Sequence, residues 1–141
     1  FRKLLPQGGT FPEQVPKLVR DLPAHLGLDA AELNGSEASL GKIDQVLWRL
    51  GTSRIFSRIL TPEVFAPLTA YVGEVIRSAT GGRWEMRCGS DGETWEPWIV
   101  DPTGRYYAPF AIFKELHEHG KSGSIRGFVR GHTGPRLPGA A

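Results

Sequence analysis

The hydrophobic pattern of this chain changes its period once, at Gly81-Gly82. Before that point apolar residues recur every three or four positions, and after it polar and apolar residues alternate over residues 83–88. A spacing near 3.6 residues places side chains on one face of a helix, whereas a period of two places them on one face of a strand. The chain therefore predicts helices followed by a small sheet, which is the arrangement of α+β domains.

Proline, glycine and capping residues predict where the first helices begin and end. Residues 16–20 predict one or two helical turns. Asp21 predicts the cap of a second short helix, with Pro23 in its first turn and Gly27 as its stop. We expect two short helices in this part of the chain.

Two longer helices are predicted further along the chain. Ser36 or Ser39 caps one that runs to about Leu50. Thr61 caps another that begins at Pro62 and runs to about Ala79, because proline suits the first helical position. The second helix has an apolar stripe that we expect to be buried: Val64, Phe65, Leu68, Tyr71, Val72, Val75 and Ile76.

The sheet is predicted as an antiparallel meander. Strands over residues 83–88, 95–100 and 105–108 are separated by turn sequences at 89–92 and 101–104. On the first strand, alternation predicts that Trp84, Met86 and Cys88 point inward.

Beyond the meander, a helix is predicted to begin at Pro109 and to end at His119. A last short strand is predicted over Ser124–Val129. The predicted fold is thus α+β, with N-terminal helices packed on a small antiparallel three-stranded meander and followed by a C-terminal helix. Within it we expect an N-terminal extension over 1–11, a single α+β domain over 12–130 and a Gly/Pro-rich tail over 131–141.

Length and hydropathy place further bounds on the chain. Its 141 residues suffice for one domain with its own core. No run approaches the ~18 apolar residues of a membrane span, so we expect no membrane partner. The chain begins at Phe1 and its only methionine is Met86, so we expect a trimmed chain or an excised domain.

Positive charge is concentrated near the ends of the chain. Residues 1–20 hold four basic side chains against one acidic, and residues 114–141 hold five against two. The segment between them holds eight against twelve. Basic ends could reach an acidic partner such as a nucleic acid, but they contain no dense basic cluster, so we favour solvated ends.

Residues that could carry catalysis or bind a metal are sparse. Cys88 is the only cysteine, so neither an intrachain disulfide nor a cysteine zinc site can form, and we expect a buried thiol. His117, Glu118 and His119 could bind a metal, but histidines two positions apart point about 200° apart on a helix. We favour a polar helix end there and expect no cofactor.

Aromatic and arginine side chains are concentrated in the meander. Arginines at 83, 87 and 105 accompany five aromatic residues that lie within 24 positions: Trp84, Trp95, Trp98, Tyr106 and Tyr107. Such residues dominate protein–protein hot spots and can also stack nucleobases. Interspersed glutamates make the charge mixed, which favours a protein partner. The predicted partner-binding residues are Arg83, Glu85, Arg87, Glu96, Trp98 and Tyr107.

Parts of residues 60–120 resemble a known group of proteins. The sequences Ala70–Ile76, Gly81–Trp84 and Glu96-Pro97, followed by Pro109-Phe110, resemble those of small uncharacterised bacterial domains, some of which are similar to toxin-immunity proteins. The resemblance implies a non-enzymatic, cytoplasmic domain that binds another protein, such as an immunity or adaptor domain.

Two alternatives to a protein-binding module stay open at this stage. The first is a nucleic-acid-binding accessory domain that uses the basic ends and the sheet aromatics. The second is a small metal-dependent enzyme that uses His117, Glu118 or His119.

Overall fold

A computed structural model of the chain describes residues 2–133. They form helices that pack against one face of a three-stranded sheet. The α-helices are α1 (Phe11–Leu26), α2 (Leu40–Leu50), α3 (Thr52–Arg54), α4 (Pro62–Thr80), α5 (Ile112–His119) and α6 (Ile125–Thr133). The strands are β1 (Arg83–Cys88), β2 (Trp95–Val100) and β3 (Tyr106–Tyr107). A π-helical turn, Ile55–Ile59, precedes α4, and short 3₁₀ turns connect several of the other elements. The predicted α+β fold class is confirmed.

Helix α4 is the centre of the core. It contacts α1, α6 and β2, and its whole predicted apolar stripe is buried. Small residues on its other sides, among them Ala66, Ala70 and Gly73, are buried as well, because neighbouring elements approach it closely from several directions. A helix that is apolar on most sides is typical of a core position.

Helix α1 is one continuous helix, so the prediction of two short helices was wrong. Pro16 and Pro23 lie inside it. An interior proline costs about 3 kcal/mol through a lost hydrogen bond and a clash. Burial offsets that cost, because an apolar stripe runs the full length of the helix against α4: Phe11, Val15, Leu18, Leu22 and Leu26.

The segment predicted as an N-terminal extension packs against the rest of the fold. The side chains of Leu5 and Phe11 are only 5% and 1% exposed and belong to the core. Gly8 and Gly9 lie against the Trp95 ring. The described part of residues 1–11 is therefore a packed part of the domain.

The sheet has the order β1-β2-β3, with both pairings antiparallel. Arg83 pairs with Val100 and Cys88 with Trp95, while Ile99 pairs with Tyr107. Extending the last register would set Pro97 opposite Pro109. Neither proline has an N–H to donate, which explains why β3 ends after two residues.

The prediction of a strand over Ser124–Val129 was wrong, because residues 125–133 form α6. Its N-terminus is capped from α2: Asp44 accepts from the backbone N–H of Ile125 at 2.7 Å and of Arg126 at 3.1 Å. A cap supplied from 81 positions away is not visible in local sequence. Of the predicted tail, residues 131–133 belong to α6, and residues 134–141 lie outside the described part of the chain.

Within residues 2–133, no single helix has both the length and the apolar composition of a membrane span. The segments Thr52–Ile59 and Pro62–Thr80, bent by 95° to each other, satisfy those two criteria only when they are taken together.

Candidate functional site

The sheet presents two chemically different faces, because side chains alternate along each strand. The inner face meets the helices and includes Trp84, Pro97, Ile99 and the buried Tyr107. The opposite face, which we call the outer sheet face, carries the buried Val100 and six other side chains: Arg83, Glu85, Arg87, Glu96, Trp98 and Tyr106. Five of these six are residues predicted from the sequence to bind a partner.

Aromatic packing orders the middle of the outer sheet face. The Trp98 ring makes edge contacts with Tyr106, at 6.0 Å between centroids, and with Phe110, at 5.1 Å. The guanidinium of Arg87 lies 5.3 Å from the centroid of the Tyr106 ring, within the range of a cation–π interaction. These side chains are therefore held in place before any partner arrives.

Charged groups on the outer sheet face are paired across short distances. The Tyr106 hydroxyl donates to the Glu85 carboxylate, and this hydrogen bond is the main cause that lowers the pKa of Glu85 and raises the pKa of Tyr106. Arg83 lies 3.4 Å from the same carboxylate but keeps 70% of its side chain exposed. Tyr106 is 41% exposed. The face thus combines fixed aromatic rings with accessible positive charge.

A shallow apolar groove of about 310 Å³ continues the outer sheet face toward α5. Its walls are formed by Phe110, Ala111 and Phe113, and Glu96 and Lys114 complete its lining. Because Phe110 also contacts Trp98, the groove and the outer sheet face form one surface.

Tyr107 was predicted to bind a partner, but it does not lie on the outer sheet face. Its side chain is 5% exposed, and its position opposite Ile99 places it on the inner face. Its hydroxyl donates to Asp101 at 2.8 Å. A two-residue strand has no alternation long enough to set its phase, so the sequence could not decide which tyrosine of the pair faces outward. The outward residue is Tyr106.

The Asp101 carboxylate organises the turn before β3. It accepts from the hydroxyl and backbone N–H of Thr103, the backbone N–H of Arg105 and the hydroxyl of Tyr107. These hydrogen bonds, that of the Thr103 hydroxyl first, stabilise the charged form and lower the pKa of Asp101 to about 2. Because this pKa lies below the ordinary value of 3.8, the stabilisation is present above that value and is lost as the pH falls toward about 2.

We expect Tyr107→Phe to raise the pKa of Asp101, because the variant removes one donor to the charged carboxylate. Carboxyl-detected NMR over an acid titration measures this pKa directly. Tyr106→Phe is the matched control, since Tyr106 donates to Glu85 instead. An unchanged Asp101 pKa in Tyr107→Phe would contradict the hydrogen bond.

Glu74 is an inner polar group whose environment the sequence did not predict. Its carboxylate accepts from Arg77 at 2.7 Å and from the indole N–H of Trp84 at 2.8 Å. Burial raises its pKa, but the hydrogen bonds from Arg77 and Trp84 outweigh burial, so the net shift is downward. Glu74 therefore fixes the Trp84 ring and is a positioning group inside the fold.

Cys88 is exposed, so the prediction of a buried thiol was wrong. It has the inward phase of β1, but it stands at the hairpin end opposite Trp95, which is itself 40% exposed. The burial of this face decreases from Trp84 to Cys88 along the strand.

Aromatic contacts hold His117, the first histidine of α5. The His117 ring stacks on Phe113 at 5.6 Å and meets the edge of Phe56 at 5.4 Å. Among residues 2–133, no group of three or more His, Cys, Asp or Glu side chains is placed to hold a metal ion.

Several basic side chains near the chain ends form ion pairs within the protein. Arg126 and Arg130 both contact Glu37, at 3.1 and 3.3 Å, which ties α6 to the turn before α2. Lys17 pairs with Asp21, and Lys114 lies 3.9 Å from Glu118. Part of the terminal positive charge thus has a structural role, and less of it is available to phosphates.

Sequence reasoning missed two aromatic residues at surfaces. Phe110 was not among the predicted partner-binding residues, although it borders the groove. Trp48 on α2 is 67% exposed, and its position off the apolar stripe of that helix was the signal that could have identified it.

Comparison of the chain with protein-family models, with curated proteins and with solved structures found no match. The resemblance to small bacterial domains therefore stays a prediction.

Proposed function

We propose that this chain is a protein-binding module that recognises its partner with the outer sheet face and the adjoining apolar groove. The observation that carries the proposal is the exposed cluster of Tyr106 and two arginines, Arg83 and Arg87, around the fixed Trp98 ring. Tyrosine, tryptophan and arginine supply most hot spots of protein interfaces, because each buries a large area with few rotamers or makes several hydrogen bonds.

The charges and shape of this surface suggest the chemistry of the partner. Arg83 and Arg87 are exposed on the outer sheet face, while the groove beside them has an almost wholly apolar lining. A partner that inserts an apolar side chain into the groove and places carboxylates over the arginines would satisfy both features. An immunity or adaptor role is the finer form of this proposal, and it rests on the resemblance alone.

The first test uses a photo-crosslinking amino acid at position 106 or at position 48. Both positions hold exposed aromatic residues, but only the first lies on the outer sheet face. In cells that make the chain naturally, we expect position 106 to crosslink one discrete protein that position 48 does not. Equal products from both positions would contradict the proposal.

The second test measures affinity for the purified crosslinked protein. We expect Tyr106→Ser and Arg83→Ala each to weaken binding by about tenfold or more, as at hot spots, and Trp48→Ser to leave it unchanged. Circular dichroism checks that all three variants are folded. Wild-type affinity in both outer-face variants would show that this face is not the interface.

Nucleic acid is the alternative outcome of these experiments. Phosphate contacts make affinity fall steeply as salt rises. Binding of a single-stranded oligonucleotide that weakens in this way, and that is reduced in Arg83→Ala, would contradict a protein partner and favour a nucleic-acid-binding domain.

A further inference from the structure

Within residues 2–133, strand β1 lies at the edge of the sheet, and the backbone groups on its outer side have no partner strand. The sheet order β1-β2-β3 leaves one side of β1 without a neighbouring strand. Among the described residues, no backbone hydrogen bond joins that side of β1 to another element. An exposed edge of six residues is a template for another strand.

The hydrogen-bond pattern of the hairpin identifies the free groups. The Gly89 N–H donates to the Thr94 carbonyl, so this pair is a hydrogen-bonded one. Hydrogen-bonded and non-hydrogen-bonded pairs alternate along an antiparallel ladder. The pairs at Cys88, Met86 and Trp84 are therefore non-hydrogen-bonded, and these three residues direct their N–H and C=O groups toward the free edge. Pro97, which has no N–H, stands opposite Met86, as this phase requires.

The charges of β1 complement a second copy of the same strand. In an antiparallel pair centred on Met86, each residue lies opposite the partner residue that is equally far from Met86 in the other direction. Glu85 then lies opposite the partner's Arg87, and two-fold symmetry repeats the contact. A register centred on Glu85 or on Arg87 would set like charges face to face, which is unfavourable.

We propose that two copies of this chain associate through their β1 edges, antiparallel and centred on Met86, to form one continuous sheet. This proposal does not rest on the proposed function, since it concerns the isolated chain alone.

A register centred on Trp84 would also pair opposite charges, Arg83 with the partner's Glu85. In that register fewer residues of β1 are paired with the partner strand. Trp84 is also fixed against Phe11 and Glu74. In the Met86-centred register, Arg83 faces the partner's Gly89.

The test is a charge-swap series followed by analytical ultracentrifugation over a range of concentrations. We expect the wild-type chain to approach twice its 15.5 kDa mass as the concentration rises. Glu85→Arg and Arg87→Glu should each weaken association by about tenfold or more, because each converts both symmetry-related pairs to like charges. The double variant should restore association, since it re-forms opposite pairs.

Arg83→Glu is the matched control, with the same charge change on the same face of the same strand. We expect it to associate like the wild type, whereas the Trp84-centred register predicts loss of association. A wild-type chain that stays monomeric at all concentrations, or a double variant that fails to recover although circular dichroism shows it folded, would overturn the proposal.

A crosslinking experiment tests the register independently. Paired Cα atoms at a hydrogen-bonded position lie about 5.5 Å apart, within the range that a disulfide spans. Met86→Cys combined with Cys88→Ser should therefore form a disulfide-linked dimer on mild oxidation. The wild-type chain should not, because Cys88 faces the partner's Trp84. The opposite result would contradict the Met86-centred register.

Discussion

Replacing Phe11 by alanine is expected to lower the free energy of unfolding by about 3–5 kcal/mol, which is the usual cost of removing a buried phenylalanine ring. Phe11 is 1% exposed, and its ring centroid lies 5.5 Å from that of Trp84. Truncation therefore leaves a cavity between α1 and the inner face of the sheet. Urea unfolding followed by tryptophan fluorescence measures the loss.

Phe56→Ala is the matched control for this variant. It makes the same chemical change at a ring that is 39% exposed, so we expect a smaller cost of about 1–2 kcal/mol, since this ring withdraws less apolar area from water on folding. A small protein has a total stability of about 5–15 kcal/mol, so Phe11→Ala removes a large share of it. A loss as small as that of Phe56→Ala would show that the start of α1 is not part of the core.

Gly73→Ala is the second variant with a large expected effect. A methyl group at position 73 would overlap the Trp84 ring at Cη2 and lie 2.5 Å from its Cζ2. The ring cannot withdraw freely, because Glu74 holds its N–H and Phe11 lies against it. We expect a net loss of about 1–3 kcal/mol from overpacking, although alanine by itself favours a helix by about 1 kcal/mol.

Two further variants separate the clash from other effects. At Gly41, also helical, an added methyl would meet only Arg126 at 3.6 Å, so Gly41→Ala should be neutral or stabilising by up to about 1 kcal/mol. Combining Gly73→Ala with Trp84→Phe should cost less than the sum of the two single changes, because the smaller ring leaves room. Additive losses, or a Gly73→Ala variant as stable as the wild type, would contradict close packing at this position.

The sequence by itself predicted most of the helix and strand positions, because strong periodicity and end signals are local. The stripe from Val64 to Ile76 and the bounds of β1 and β2 are found as predicted. The sequence did not predict the elements that are stabilised by residues distant along the chain. Helix α1 continues through two prolines because α4 buries its stripe, and α6 replaces a predicted strand because Asp44 caps it from α2.

The candidate site divides in the same way. Alternation along β1 and β2 was sufficient to place Arg83, Arg87 and Trp98 on one face of the sheet. Whether Tyr106 or Tyr107 joined the outer residues depended on the pairing of β3 with β2. That pairing is set by the Asp101 turn and by Pro97, so only the tertiary structure decided it.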